Sequence, residues 1–109
     1  IVSVNESVYL VSSGGVFRLE ADADLVFMYP LPNVSDIIYT NEMLWVLTRS
    51  GFLMRSNSIE RPIWQRFYLP EGSGEAYSFQ LNSSSILVHT TKGVYQSKDL
   101  ANSWTLLYD

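Results

Sequence analysis

The chain repeats itself three times. Segments 5–17, 41–53 and 82–95 align, each opening on an asparagine and running through an apolar stretch and a polar pair or triplet to a glycine and a second apolar stretch. The spacing from Asn5 to Gly15 is ten residues, from Asn41 to Gly51 ten, and from Asn82 to Gly93 eleven. That order of turn, strand, turn and strand describes a β-hairpin. Each copy closes on an extended segment bearing Tyr29, Tyr68 or Tyr108, at intervals of 39 and 40 residues. A period of this length is the mark of a repeat architecture, and it constrains the fold more than any composition does.

A further short extended stretch precedes each asparagine, so every unit holds four strands. The pattern predicts strands at 1–4, 7–13, 15–20 and 24–30, then 35–40, 43–49, 51–56 and 63–69, then 76–81, 85–91, 93–97 and 103–108. No 3.6-residue apolar stripe is present, and Val, Ile, Tyr, Phe, Trp and Thr fill the periodic segments, so no helix is expected. In the second strand of each unit, 8–11, 44–47 and 86–89, odd and even positions are both mainly apolar, so a sheet covered on both faces is expected. A two-layer sandwich would show cleaner alternation. The expected fold is all-β, with about three four-stranded antiparallel β-propeller blades at approximately 1–32, 33–70 and 71–109, forming one propeller segment. Pro30, Pro32 and Asn33, and Pro70 to Gly74, supply the turn chemistry between units.

Composition removes several functions. Seven basic against eleven acidic residues give a net charge of −4, which disfavours a nucleic-acid binder or a polybasic membrane tether. With no cysteine there is no disulfide, thiolate metal site or cysteine nucleophile. The longest nearly apolar stretch, 25–31, is far short of the roughly twenty residues that cross a bilayer. The opening Ile1-Val2-Ser3 lacks a methionine or a basic leader, which suggests a mature or excised stretch.

Candidate chemistry is sparse. His89 is the only histidine, without a second ligand at metal-site spacing, and reads as a hydrogen-bonded strand-end residue. Asp22 and Asp24 could pair as acid and base, but in a turn they read as solvated. No Gly-x-Ser-x-Gly elbow is present. Arg18, Arg49, Arg55, Arg61 and Arg66 read as strand-edge residues, with Arg61 and Arg66 available for a cation–π edge on Trp64. Trp45, Trp64, Trp104 and the repeated tyrosines read as core, with a sugar-stacking platform as the alternative. No catalytic residue, cofactor or metal is assigned.

Following Gly93-Val-Tyr95, the third unit contains Ser97, Asp99, Ser103 and Trp104. This run is similar to the Asp-box, or bacterial neuraminidase repeat, Ser-x-Asp-x-Gly-x-Thr-Trp, with Ser103 in the threonine position and Ala101 in the glycine position. A short carboxylate at the start of a turn accepts hydrogen bonds from the amides that follow, and the indole packs over the hairpin. The resemblance implies a structural role for these four residues in a propeller blade. A degenerate relative, Ser56, Ser58 and Trp64, occupies the second unit.

Among proteins with this motif, the chain resembles the degenerate propeller ectodomains of the auxiliary subunits of the sperm cation channel CatSper and, less closely, the sortilin receptors. Three sequons at Asn5, Asn33 and Asn82 point to the same extracellular side, where roughly one is expected by chance. The resemblance implies a non-enzymatic, glycosylated cell-surface ectodomain. Its partners would be other blades or subunits of a membrane complex. A fragment of a sialidase-like or glycan-binding propeller is the alternative. Three blades do not close a ring, so both end sheets are expected to expose an apolar face that other chains or blades complete.

Overall fold

The computed structural model describes residues 2–4, 7–12, 14–20, 24–31 and 33–108. Twelve strands form three antiparallel sheets, each a simple up-and-down meander of four. Sheet 1 contains β1 (Val2–Val4), β2 (Ser7–Ser12), β3 (Gly15–Leu19) and β4 (Leu25–Tyr29). Sheet 2 contains β5 (Val34–Thr40), β6 (Met43–Thr48), β7 (Phe52–Ser56) and β8 (Gln65–Tyr68). Sheet 3 contains β9 (Ala76–Leu81), β10 (Ile86–Thr90), β11 (Gly93–Ser97) and β12 (Thr105–Tyr108). There is no helix among the described residues, and the three sheets do not close on themselves.

The repeat read from sequence is reproduced strand for strand, with two instructive differences. β8 begins at Gln65 and β12 at Thr105, each two residues later than the apolar pattern predicts. The amides ahead of them are taken by side chains instead of the ladder: Ile63 N–H donates to Ser56 Oγ at 3.2 Å and Ser103 N–H to Asp99 Oδ1 at 2.9 Å. A backbone donor held in a turn cannot also pair in a sheet.

The sheets stack in three layers with sheet 2 in the middle, giving a body of 47 × 25 × 20 Å. The alternating pleat of β6 divides its side chains between two cores. Leu44 and Val46 join Met54 against Tyr9 and Val16 of sheet 1, while Trp45 and Leu47 join Leu53 against Phe79, Ile86 and Val88 of sheet 3. The doubly apolar run at 44–47 therefore has covers on both faces, as its sequence requires. In β2 and β10 only one face is covered: Tyr9 and Val88 are buried, whereas Leu10 is exposed and His89 half-buried. Those strands belong to the outer layers, where no further sheet follows among the described residues.

Polar contacts lace the layers together. Between sheets 2 and 3, Ser35 Oγ donates to the Ala76 carbonyl at 2.7 Å and Phe79 N–H donates to Asp36 Oδ2 at 3.1 Å, joining β5 to β9. At the opposite edge, Trp104 Nε1 donates to the Tyr68 carbonyl at 3.0 Å. Between sheets 1 and 2, Tyr9 Oη donates to Glu60 Oε1 at 2.7 Å, and Arg18 reaches the same oxygen at 3.4 Å. The Tyr9 hydrogen bond, assisted by Arg18, holds the Glu60 carboxyl below its ordinary pKa.

Tyr29 Oη donates to the Ile59 carbonyl at 2.6 Å, and burial, aided by neighbouring Tyr9, pushes its phenol up to about 12. A phenol whose folded pKa is raised favours the folded state fully below its unfolded value near 10 and loses that contribution as pH climbs through about 12. Phenolate absorbance should therefore show Tyr29 ionising in the folded chain well after an exposed tyrosine. Loss of that late step in Tyr29→Phe identifies the residue, and an unchanged titration would contradict the buried contact.

Candidate functional site

The turn between β11 and β12 is closed by side chains. Ser97, fully buried at the end of β11, donates from Oγ to Asp99 Oδ1 at 2.9 Å and accepts from Ala101 N–H at 2.7 Å. Asp99 also accepts from Ser103 N–H through Oδ1 and from the Ser103 hydroxyl through Oδ2. The Ser103 hydroxyl and amide, then the Ser97 hydroxyl, hold the Asp99 carboxyl below its ordinary range. Trp104, directly before β12, packs on the core between sheets 2 and 3. The four residues singled out from sequence are thus brought together. Both hydroxyls and the carboxylate in this cluster make hydrogen bonds that close the turn.

Leu100 and Ala101 both lie in the left-handed region, at φ 57° and 66°. Ala101 stands at the position where the motif has glycine, and an L-residue there is strained by roughly 1 kcal/mol. Ala101→Gly should stabilise the chain by about 0.5–1 kcal/mol in urea denaturation. A destabilisation of that size would mean that the alanine methyl packs usefully.

The second unit uses the same device without the carboxylate. Ser56 is buried at the end of β7 in register with Leu44, as Ser97 is with Ile86. Its Oγ donates to the Ser58 carbonyl at 2.9 Å and accepts from Ser58 N–H and Ile63 N–H, while Ser58 Oγ accepts from Arg61 N–H. Trp64, directly before β8, packs on the core between sheets 1 and 2. In the first unit Leu19 holds the corresponding register, opposite Val8, and Glu20 N–H closes the turn on the Asp24 carbonyl at 2.8 Å. Asp22 lies outside the described residues.

Several sequence readings are corrected. Tyr68 and Tyr108 are not core: they are 61% and 71% exposed, whereas Tyr29, at the matching place on edge strand β4, is half-buried and bonded to the Ile59 carbonyl. Arg66 lies over Phe52 at 5.4 Å and Arg55 over Trp45 at 5.2 Å, so the cation–π pairs form across neighbouring strands and not around Trp64. His89 lies tilted against the Tyr77 ring, centroids 6.2 Å apart, with no side-chain hydrogen bond to a described residue. Asn33 and Asn82 are exposed in turns, and Asn5 falls outside the described residues.

A further feature is a surface. The outward face of sheet 1 carries Val8, Leu10, Phe17, Leu19, Leu25 and Phe27 in mutual register, with Leu25 51% and Phe27 54% exposed. Sheet 3 meets the expectation of a second such face only in part, since its outward side pairs Leu87 with Gln80 and Gln96, and His89 with Ser78 and Val94. Polar residues interrupt that side, although Tyr77, against His89, and Tyr108, opposite Val94, are 56% and 71% exposed on it.

The register shows what the face of sheet 1 corresponds to. Val8 and Leu10 lie four and two residues before Ser12, as Leu44 and Val46 do before Thr48, and Ile86 and Val88 before Thr90; each hydroxyl residue ends its strand. Leu44 and Val46 are covered by sheet 1, and Ile86 and Val88 by sheet 2. Val8 and Leu10 hold the same place with no sheet over them among the described residues. The link from Glu60 to Tyr9 and Arg18 was not found from sequence, since residues 42 to 51 positions apart carry no local signal of contact. Compared with known proteins, the chain matches no protein-family model and no curated protein sequence.

Proposed function

We propose that this chain is a non-enzymatic, extracellular β-propeller segment that mediates protein–protein assembly within a membrane receptor or channel-associated ectodomain. One observation carries the reading: sheet 1 presents an apolar face whose counterparts in sheets 2 and 3 are each buried under the preceding sheet. Isolated soluble domains rarely leave such a continuous apolar patch to water. A neighbouring blade, from the same ectodomain or another subunit, is the cover that the repeat prescribes. The three meanders of four strands and the Ser97–Asp99–Ser103–Trp104 turn support the blade and Asp-box readings. Exposed Asn33 and Asn82 are compatible with N-glycans on the outward loops.

Two measurements test this. The purified chain should bind a hydrophobic dye and self-associate in sedimentation velocity, and Leu10→Glu with Phe27→Glu should abolish both while leaving the circular dichroism spectrum unchanged. A strictly monomeric chain that ignores the dye would remove the assembly reading. After expression in a secreting cell, peptide mass spectrometry should find glycan on Asn33 or Asn82. Finding both bare would remove the extracellular assignment.

A further inference from the structure

A separate feature lies between sheets 2 and 3, where Asn41, the loop at residues 82–85 and Leu100 converge around a cleft of about 330 Å³. Its lining combines apolar Met43, Trp45 and Ile86 with the hydroxyls of Ser83 and Ser84, and Arg55 is its only ionised side chain. The Arg55 guanidinium lies 5.2 Å from the ring centroids of both Trp45 and Phe67, and Nε donates to Gln65 Oε1 at 2.8 Å. The arginine is held in place, yet its two terminal nitrogens make no hydrogen bond to a described residue, and no carboxylate pairs with it among the described residues.

We propose that this cleft binds a carboxylate side chain of a partner polypeptide, flanked by apolar residues. The charge sets the first half of the match: a planar, uncommitted guanidinium accepts a carboxylate through two parallel hydrogen bonds. The lining sets the second half. A simple carboxylate would use Arg55 and leave exposed Leu100 and half-buried Met43 wet, whereas apolar neighbours on a peptide cover them. Ser83 and Ser84, exposed on the rim, offer donors and acceptors to a peptide backbone. A volume near the lower end for ligand sites suits one acidic side chain and its neighbours. This inference does not depend on what covers sheet 1, because the two surfaces lie on different sheets.

The test titrates the full chain with a capped Leu-Glu-Leu peptide, its Leu-Gln-Leu counterpart and acetate, each followed by backbone amide NMR shifts. The Glu peptide should move the amides of Asn41, Arg55, Ser83, Ser84 and Leu100, and bind about fivefold or more tighter than the Gln peptide, the contribution expected of a partly exposed hydrogen bond between charged groups. Acetate should not reproduce those shifts. Arg55→Gln should bring the Glu peptide down to the affinity of the Gln peptide. Because Arg55 also covers Trp45, a second variant guards against misfolding: Ser84→Glu, on the exposed rim, supplies an internal competitor and should weaken the Glu peptide to a similar degree. Equal binding of the two peptides, shifts elsewhere on the chain, acetate matching the peptide, or no binding would each overturn the proposal.

Discussion

Replacing either Leu44 or Leu47 by alanine is expected to cost about 2–5 kcal/mol, measured as a lower urea midpoint at unchanged slope. The two residues are three apart on β6, and their side chains enter different cores, one shared with sheet 1 and the other with sheet 3. Both are fully buried, so each truncation opens a cavity that the flanking sheets cannot easily fill. In any two-layer arrangement one of the two faces of β6 would meet solvent, and the corresponding leucine would be nearly free to change. Leu25→Ala serves as the control: on the uncovered face of sheet 1 and half-exposed, it should cost less than about 1 kcal/mol. A cost that small at either Leu44 or Leu47 would contradict the three-layer stack. Against a total stability of roughly 5–15 kcal/mol for such a domain, losses at both sites together should leave the chain largely unfolded.

Gly93→Ala should be comparably damaging, at about 2–4 kcal/mol. Gly93 opens β11 at φ 143°, a conformation that L-residues rarely adopt, and an added Cβ would overlap the Tyr108 carbonyl oxygen and press on Leu106. Both contacts lie on β12, so relief requires that edge strand to move away. Gly14→Ala in the first hairpin makes the comparison. Its nearest neighbour would be Ser12 Oγ at 3.8 Å, and its effect should stay within about 0.5 kcal/mol. Equal melting temperatures for the two variants would show that β12 is not held where the structure places it. Loss confined to Gly93→Ala, with amide exchange rising first in β12, would locate the damage at that edge.

The degree to which the chain could be read in advance follows from how local each signal is. Hairpin phasing depends on residues adjacent in sequence: Asn41 occupies the turn into β6, Gly93 the start of β11, and Ser97 meets Asp99 only two positions on in one loop. The cross-sheet contacts are different. Tyr9 meets Glu60 across 51 positions, Asp36 meets the Phe79 amide across 43, and Trp104 meets the Tyr68 carbonyl across 36. No spacing rule links such pairs, because they meet only after the sheets have stacked. The Arg55 cleft is of the same kind, since it joins a β7 side chain to a loop at 82–85.

What the residues alone determined is the four-strand unit, its threefold recurrence and the absence of helix among the described residues, all of which follow from side-chain alternation and turn chemistry within a few positions. Which faces are covered was decided only by tertiary structure. The apolar second strands look alike at 8–11 and 44–47, yet one lies at an end of the stack and the other in its middle. Burial is a property of what packs against a residue and not of the residue itself. The same reason makes Tyr68 and Tyr108 exposed although they recur with the period of the core, and leaves sheet 1 with a continuous apolar face toward solvent where sheet 3 has a mixed one.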